Sequence, residues 1–259
     1  MEKFEIKNRK GLKIVGELSI PKKSKGLSFT LHGLGGFKEQ PHIIILANTL
    51  LENDYTVINF DATNSTGESG GKYGNATFQD HYENLVDVIT WAKTQIWYKQ
   101  PFILAGQSLG GYAVARYAED YPKEVKALLF YAGVVAGELS YKSKEKFESA
   151  KFKTWKETGW REEESKSRPG LIKRLPWSYM EEGLKHDLRP NASKLTMPIL
   201  FVVGGSDKAH ISGDQKVLYD IVSGPKEMHI VPGAPHDFCD LEHLRQLKTV
   251  FNNWLKNLK

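Results

Sequence analysis

A doubly wound α/β fold, with a mostly parallel central sheet and helices on both faces, is what this 259-residue sequence predicts. Three observations carry that expectation. Short apolar runs of strand length recur along the chain, and stretches with helical periodicity separate them. The runs are nearly continuous in apolar residues rather than alternating, as strands buried on both faces are. Turn residues punctuate the ends of the runs, and the residues with chemical potential cluster there.

Taken in order, residues 1–6 alternate polar and apolar and read as a strand. A turn near 8–11 leads into a second strand over 13–20. Residues 27–31 form a short apolar strand ending at His32-Gly33. The stretch 41–53 reads as a helix, and 56–60 as a strand ending at Asp61. Residues 78–94 show helical spacing through Leu85, Val88, Ile89 and Ala92. A strand over 102–105 feeds a helix beginning near Gly111. Residues 127–131 and 198–203 are two more buried strands, 226–231 is the last strand, and 241–258 is a closing amphipathic helix. Between 136 and 191 no buried strand is apparent. That stretch is rich in Lys and Glu, yet it carries Phe147, Phe152, Trp155, Trp160, Trp177 and Tyr179, too many aromatics for a disordered linker. It reads as a mainly helical cap, 136–191, inserted into a core formed by 1–135 and 192–259.

Composition limits the function classes. The chain is 40% hydrophobic and 26% charged, with a formal net charge of +5 and pI near 9.0. The basic excess is modest and spread along the chain, so it reads as a solvated surface rather than a nucleic-acid footprint. No apolar run approaches the roughly 20 residues of a membrane span. The first residues contain no apolar leader. Cys239 is the single cysteine, so an internal disulfide is impossible and a reducing, cytoplasmic setting is expected. It reads as a small buried packing residue.

The chemistry centres on Gly106-Gln107-Ser108-Leu109-Gly110. Set between an apolar strand and a helix, this G-x-S-x-G pattern reads as a nucleophile elbow. Its glycines sit where a Cβ would clash, and the helix N-terminus favours developing negative charge beside Ser108. A serine needs a base. His236, in the loop after the last strand, is the candidate, because a histidine can take and return a proton and this one completes the chain order Ser…Asp…His. Asp207, just beyond the strand over 199–203, is the candidate acid that orients it. Asp214, at a helix start, and Asp237, beside the histidine, are its competitors. The oxyanion donors are expected to be the backbone N–H groups of Leu109 and of Leu34, the latter in His32-Gly33-Leu34-Gly35-Gly36. The His32 side chain reads as a brace for that loop. Ser69, in Gly67-Glu68-Ser69-Gly70-Gly71, reads as part of a turn. No metal-ligand spacing and no dinucleotide fingerprint is present, so no metal and no cofactor are expected.

With these residues in place, the chain resembles an α/β-hydrolase-fold serine esterase over nearly its whole length. Within that superfamily it is most similar to bacterial cinnamoyl and feruloyl esterases, on the stretch from Phe60-Asp61 to Lys72-Tyr73 and on the inserted cap. It departs from their pattern at Ala62-Thr63-Asn64. The resemblance implies acyl-enzyme hydrolysis of short-chain or hydroxycinnamoyl esters by Ser108, His236 and Asp207. The partner would be a small-molecule ester, not a nucleic acid. A monoacylglycerol-type lipase touching a membrane surface, an amide or peptide hydrolase, and a non-catalytic receptor are the other readings.

Overall fold

In the computed structural model, which describes residues 1–165 and 167–258, ten strands and eight α-helices are formed. In chain order they are β1 (Glu2–Lys7), β2 (Lys13–Ser19), β3 (Gly26–Leu31), α1 (Pro41–Glu52), β4 (Tyr55–Phe60), α2 (Phe78–Ala92), β5 (Phe102–Gln107), α3 (Leu109–Asp120) and β6 (Val125–Tyr131). There follow α4 (Gly137–Phe147), α5 (Ser149–Thr158), β7 (Trp160–Glu164), β8 (Ile172–Pro176), α6 (Ser178–Gly183), β9 (Ile199–Gly204), α7 (Ser212–Ile221), β10 (Lys226–Val231) and α8 (Leu241–Asn257).

Eight strands make one sheet in the order β1-β2-β4-β3-β5-β6-β9-β10. The pairs from β4 through β10 are parallel; β2 runs antiparallel to both β1 and β4. This is the α/β-hydrolase architecture the sequence predicts. β3, β4, β5 and β9 are buried at every residue. That explains their unbroken apolar runs, because each face must satisfy a separate core. On β5, Phe102 and Leu104 face the core built with α2 and α3, while Ile103 and Ala105 face the core built with α1 and α8. Helix α8 buries Leu244, Leu247, Phe251, Trp254 and Leu255, one stripe at helical spacing. Asp240 caps it by accepting from the His243 N–H at 2.8 Å.

The stretch between β6 and β9 leaves and rejoins the sheet domain at an antiparallel bridge, Ala136 with Asp187. It contains three helices and a two-stranded hairpin, β7–β8, which the expectation of a mainly helical segment omitted. The hairpin is hidden in the sequence because charged residues make up most of it. Those charges pair across the ribbon: Glu163 with Lys173 at 3.1 Å and Glu162 with Arg174 at 2.9 Å.

One core group sets a pH dependence of stability. Glu119 on α3 is 1% exposed, and neither carboxylate oxygen has a hydrogen-bond partner among the described residues. The Arg116 guanidinium stands 3.8 Å away. Burial outweighs the pull of Arg116 and pushes the carboxyl pKa up to about 8. Between the ordinary glutamate value and about 8, the unfolded chain releases a proton that the folded chain keeps. Stability therefore falls as pH rises through that window, by at most about 1.4 kcal/mol per unit for this group. Glu119→Gln should remove that slope. Urea denaturation at pH 5 and pH 8.5 should show the variant gaining on the natural chain at the higher pH, and an equal gap at both would refute it.

Candidate active site

Every candidate residue sits at or beyond the carboxyl end of a parallel strand, where ligands bind in such sheets. Strand β5 ends at Gln107, and the chain turns sharply into α3 through Ser108, whose φ is +56° and ψ −117°. A non-glycine residue there is strained, and its surroundings hold it in place. The Ser108 N–H donates to the Tyr131 carbonyl at 3.0 Å, and its carbonyl accepts from the N–H groups of Tyr112 and Val134. Gly110 is required by close approach, since a Cβ there would lie 2.4 Å from the Leu31 carbonyl oxygen. This is the packing that keeps the elbow against β3.

Asp207 and His236 meet. The imidazole Nδ1 lies 2.8 Å from Asp207 Oδ2. The aspartate side chain is fully buried, and its other oxygen accepts from the N–H groups of Ala209 and His210 at 2.8 and 3.0 Å. Burial raises the carboxyl pKa. The His236 hydrogen bond, the His236 and His210 charges and the His210 N–H together outweigh it, and the pKa settles below the ordinary aspartate value. The carboxylate is thus ionised and fixes the ring with Nδ1–H toward it. His210 packs edge-on to His236, ring centroids 5.2 Å apart, with its own pKa pushed down to about 3 by burial. Of the competing aspartates, Asp214 lies in the first turn of α7, where it accepts from Ser143 Oγ at 3.3 Å. Asp237 lies on the cavity wall beside His42.

Ser108, His236, Leu34 and Leu109 line one cavity of about 1080 Å³. Among the described residues, Ser108 Oγ makes no hydrogen bond. The imidazole Nε2 instead receives the Gln107 side-chain amide at 3.2 Å. Gln107 is the residue the sequence reading passed over. It occupies a variable position of the motif, and its place immediately before the serine was the available signal. The N–H groups of Leu34 and Leu109 donate to no other group among the described residues, and both belong to the cavity wall. In the loop that carries Leu34, Gly33 is required as well, because a Cβ would stand 2.8 Å from Ser108 Cβ.

The loop is braced from below. His32 Nδ1–H donates to the Gly33 carbonyl at 2.7 Å, and Nε2 accepts the Ala62 N–H at 3.0 Å. Burial holds its pKa down near 4, so the ring stays neutral. A buried ion cluster, unforeseen from the sequence, lies behind it. The fully buried Lys38 ammonium binds Glu39, Glu68 at 2.5 Å and Asp61 at 3.6 Å, while Asp61 accepts the Lys38 N–H at 2.7 Å. Ser69 accepts the Val15 N–H and donates to the Asp61 carbonyl, which ties the Gly67–Gly71 turn to the sheet. Asn64 adopts φ +58° and accepts the Lys72 N–H.

Cys239 corrects an expectation. It is exposed and lines the cavity rather than packing in the core. Phe238, at φ +44°, turns its ring fully inward, and the following residue is turned out. Among the described residues no group of three His, Cys, Asp or Glu is placed to hold a metal ion, and no helix is long and apolar enough to cross a membrane.

Comparison with known proteins agrees with this architecture. Two curated relatives from Escherichia coli, each described as an uncharacterized 31.7 kDa protein in the traX-finO intergenic region, are 27% identical and align with 91% of this chain and 97% of their own. Est1E from Butyrivibrio proteoclasticus, solved with ferulic acid bound, superposes with a TM-score of 0.79 at 20% identity, covering 98% of each chain. Mouse alpha/beta hydrolase domain-containing protein 10 superposes with a TM-score of 0.78 at 18% identity over both whole chains. The model of the family described as serine aminopeptidase, S33, matches residues 22–242, and this chain is a member of that family of α/β-hydrolases.

Proposed function

We propose that this hydrolase cleaves carboxylic esters through an acyl-enzyme. Ser108 Oγ attacks the ester carbonyl and passes its proton to His236 Nε2. The oxyanion is received by the N–H groups of Leu34 and Leu109. The imidazolium, steadied by Asp207, returns the proton to the leaving alcohol. Water then attacks the acyl-enzyme with the same base, and the acid is released. The observation that carries this reading is the Asp207–His236 hydrogen bond at 2.8 Å, which opens onto the cavity that also holds Ser108. The Gln107 amide on Nε2 keeps that lone pair beside the elbow before substrate arrives.

Ester is favoured over peptide by the cavity wall. An aminopeptidase must hold its substrate's ammonium on a carboxylate, whereas on this wall Glu39 is bound by Lys38, Glu148 and Glu163 by Arg161 and Lys173, and Glu164 accepts the Gly170 N–H. The esterase neighbours support the same reading. Labelling by a fluorophosphonate, followed by a panel of methyl ferulate, short and long 4-nitrophenyl esters, a monoglyceride and an aminoacyl anilide, tests it. Labelling of Ser108 with turnover of the ferulate or short esters is expected. Turnover of the anilide alone would establish the peptidase reading instead, and a peak at long chains with activation by vesicles the lipase.

A further inference from the structure

The stretch between β6 and β9 lines the cavity with residues whose buried polar atoms find no partner among the described residues. Ser140 and Lys144 on α4 and Glu148 at its C-terminal cap recur at helical spacing, and all three line the cavity. A helix face turned toward an enclosed space ordinarily carries apolar residues. The Ser140 hydroxyl, 5% exposed, and the indole N–H of Trp155 on α5, 1% exposed, have no hydrogen-bond partner among the described residues. A buried, unpaired donor of this kind costs free energy unless a ligand meets it.

Charge points the same way. Arg161 lies 2.8 Å from both Glu148 and Glu163, and Lys173 lies 3.1 Å from Glu163. Lys144 is left with Glu148 at 3.8 Å, a carboxylate that Arg161 already holds. Over the whole wall, among the described residues, cations and carboxylates balance, five of each, so what sets the site apart is how loosely Lys144 itself is paired. Burial first, and then the Arg161 charge, hold the Lys144 pKa below the usual lysine value, a cost that an anion beside it would relieve. Indole and ammonium groups only donate, so together they select an acceptor.

We infer that the cavity takes an ester whose far end carries an anionic oxygen group, a carboxylate, received by Lys144 Nζ, the Trp155 indole N–H and the Ser140 hydroxyl. This rests on the ester-hydrolase reading and names its substrate class.

Two isosteric pairs test it. 4-Nitrophenyl hydrogen glutarate against 4-nitrophenyl pentanoate places the charge on the acyl side; 4-acetoxybenzoate against 4-tolyl acetate places it on the alcohol side. In one pair kcat/KM should favour the anion by about tenfold or more, as hydrogen bonds to a charged group warrant. Lys144→Met should bring that ratio to one or below, mainly through KM, and Lys144→Arg should retain part of it. A neutral preference in both pairs, or an unchanged ratio in Lys144→Met, would overturn the inference. Calorimetry on Ser108→Ala reads the site without turnover. Monomethyl glutarate should bind more tightly than methyl pentanoate, and a further Lys144→Met change should abolish the difference; equal binding of the two would overturn the inference. Failure of all four esters to turn over, with no fluorophosphonate label, would sink the ester reading alone, because the calorimetric preference still decides the anion site.

Discussion

Ser108→Ala is expected to lower kcat by about 10⁴-fold or more, with KM and melting temperature little changed. The loss follows from removing the atom that attacks, since the Gln107 amide is no nucleophile and the exposed Cys239 does not lie at the elbow with a helix N-terminus behind it. The fold should survive. Ser108 Oγ makes no hydrogen bond among the described residues, so its removal orphans no partner. Alanine meets the same strain at φ +56° that serine already bears. The N–H groups of Leu34 and Leu109 remain, so a residual rate above that in water is expected from them. Initial rates on the preferred ester, with mass spectrometry of a fluorophosphonate-treated sample, check the result. A variant that still hydrolyses within tenfold of the natural rate, or still carries the label, would end the proposal.

What the sequence made legible was whatever burial on two faces forces into apolar runs. The strands over 27–31, 56–60 and 199–203 could be read because both sides of each must be greasy, and the reactive loops follow directly after such strands. Asp207 and His236 could be named because each follows such a strand and together they complete the order Ser…Asp…His; that their strands lie side by side is seen only in the structure. Hairpin β7–β8 could not be read, because its residues are stabilised by charge pairs and not by a core. The Lys38–Asp61–Glu68 cluster was illegible for a related reason. Its members are separated by up to 30 residues, and nothing local marks a lysine as buried. Cys239 was misread because a backbone turn at Phe238 decides which of two adjacent residues faces inward, and composition carries no trace of that turn. Gln107 is legible only once His236 is placed beside it.

Asp207→Asn provides the second large effect, and it separates orientation from nucleophilicity. Both oxygens of this carboxylate are engaged, Oδ2 by His236 Nδ1 and Oδ1 by the N–H groups of Ala209 and His210. An asparagine can keep its amide oxygen on those two backbone donors. Its NH₂ group must then face Nδ1, which can meet it only as an acceptor. The imidazole proton is thereby moved to Nε2, the atom that has to take the proton of Ser108, and the charge that steadies the imidazolium is gone. A fall in kcat of about 10⁴-fold is expected, with the protein still folded. Asp214→Asn is the matched control. Its carboxyl lies on α7 with Ser143 Oγ as its partner, and burial pushes its pKa above the usual aspartate value. That variant should stay close to the natural rate. Comparable losses in the two variants would mean that Asp207 is no more than a structural partner of the histidine, and the role of orienting acid would have to pass elsewhere in the loop cluster.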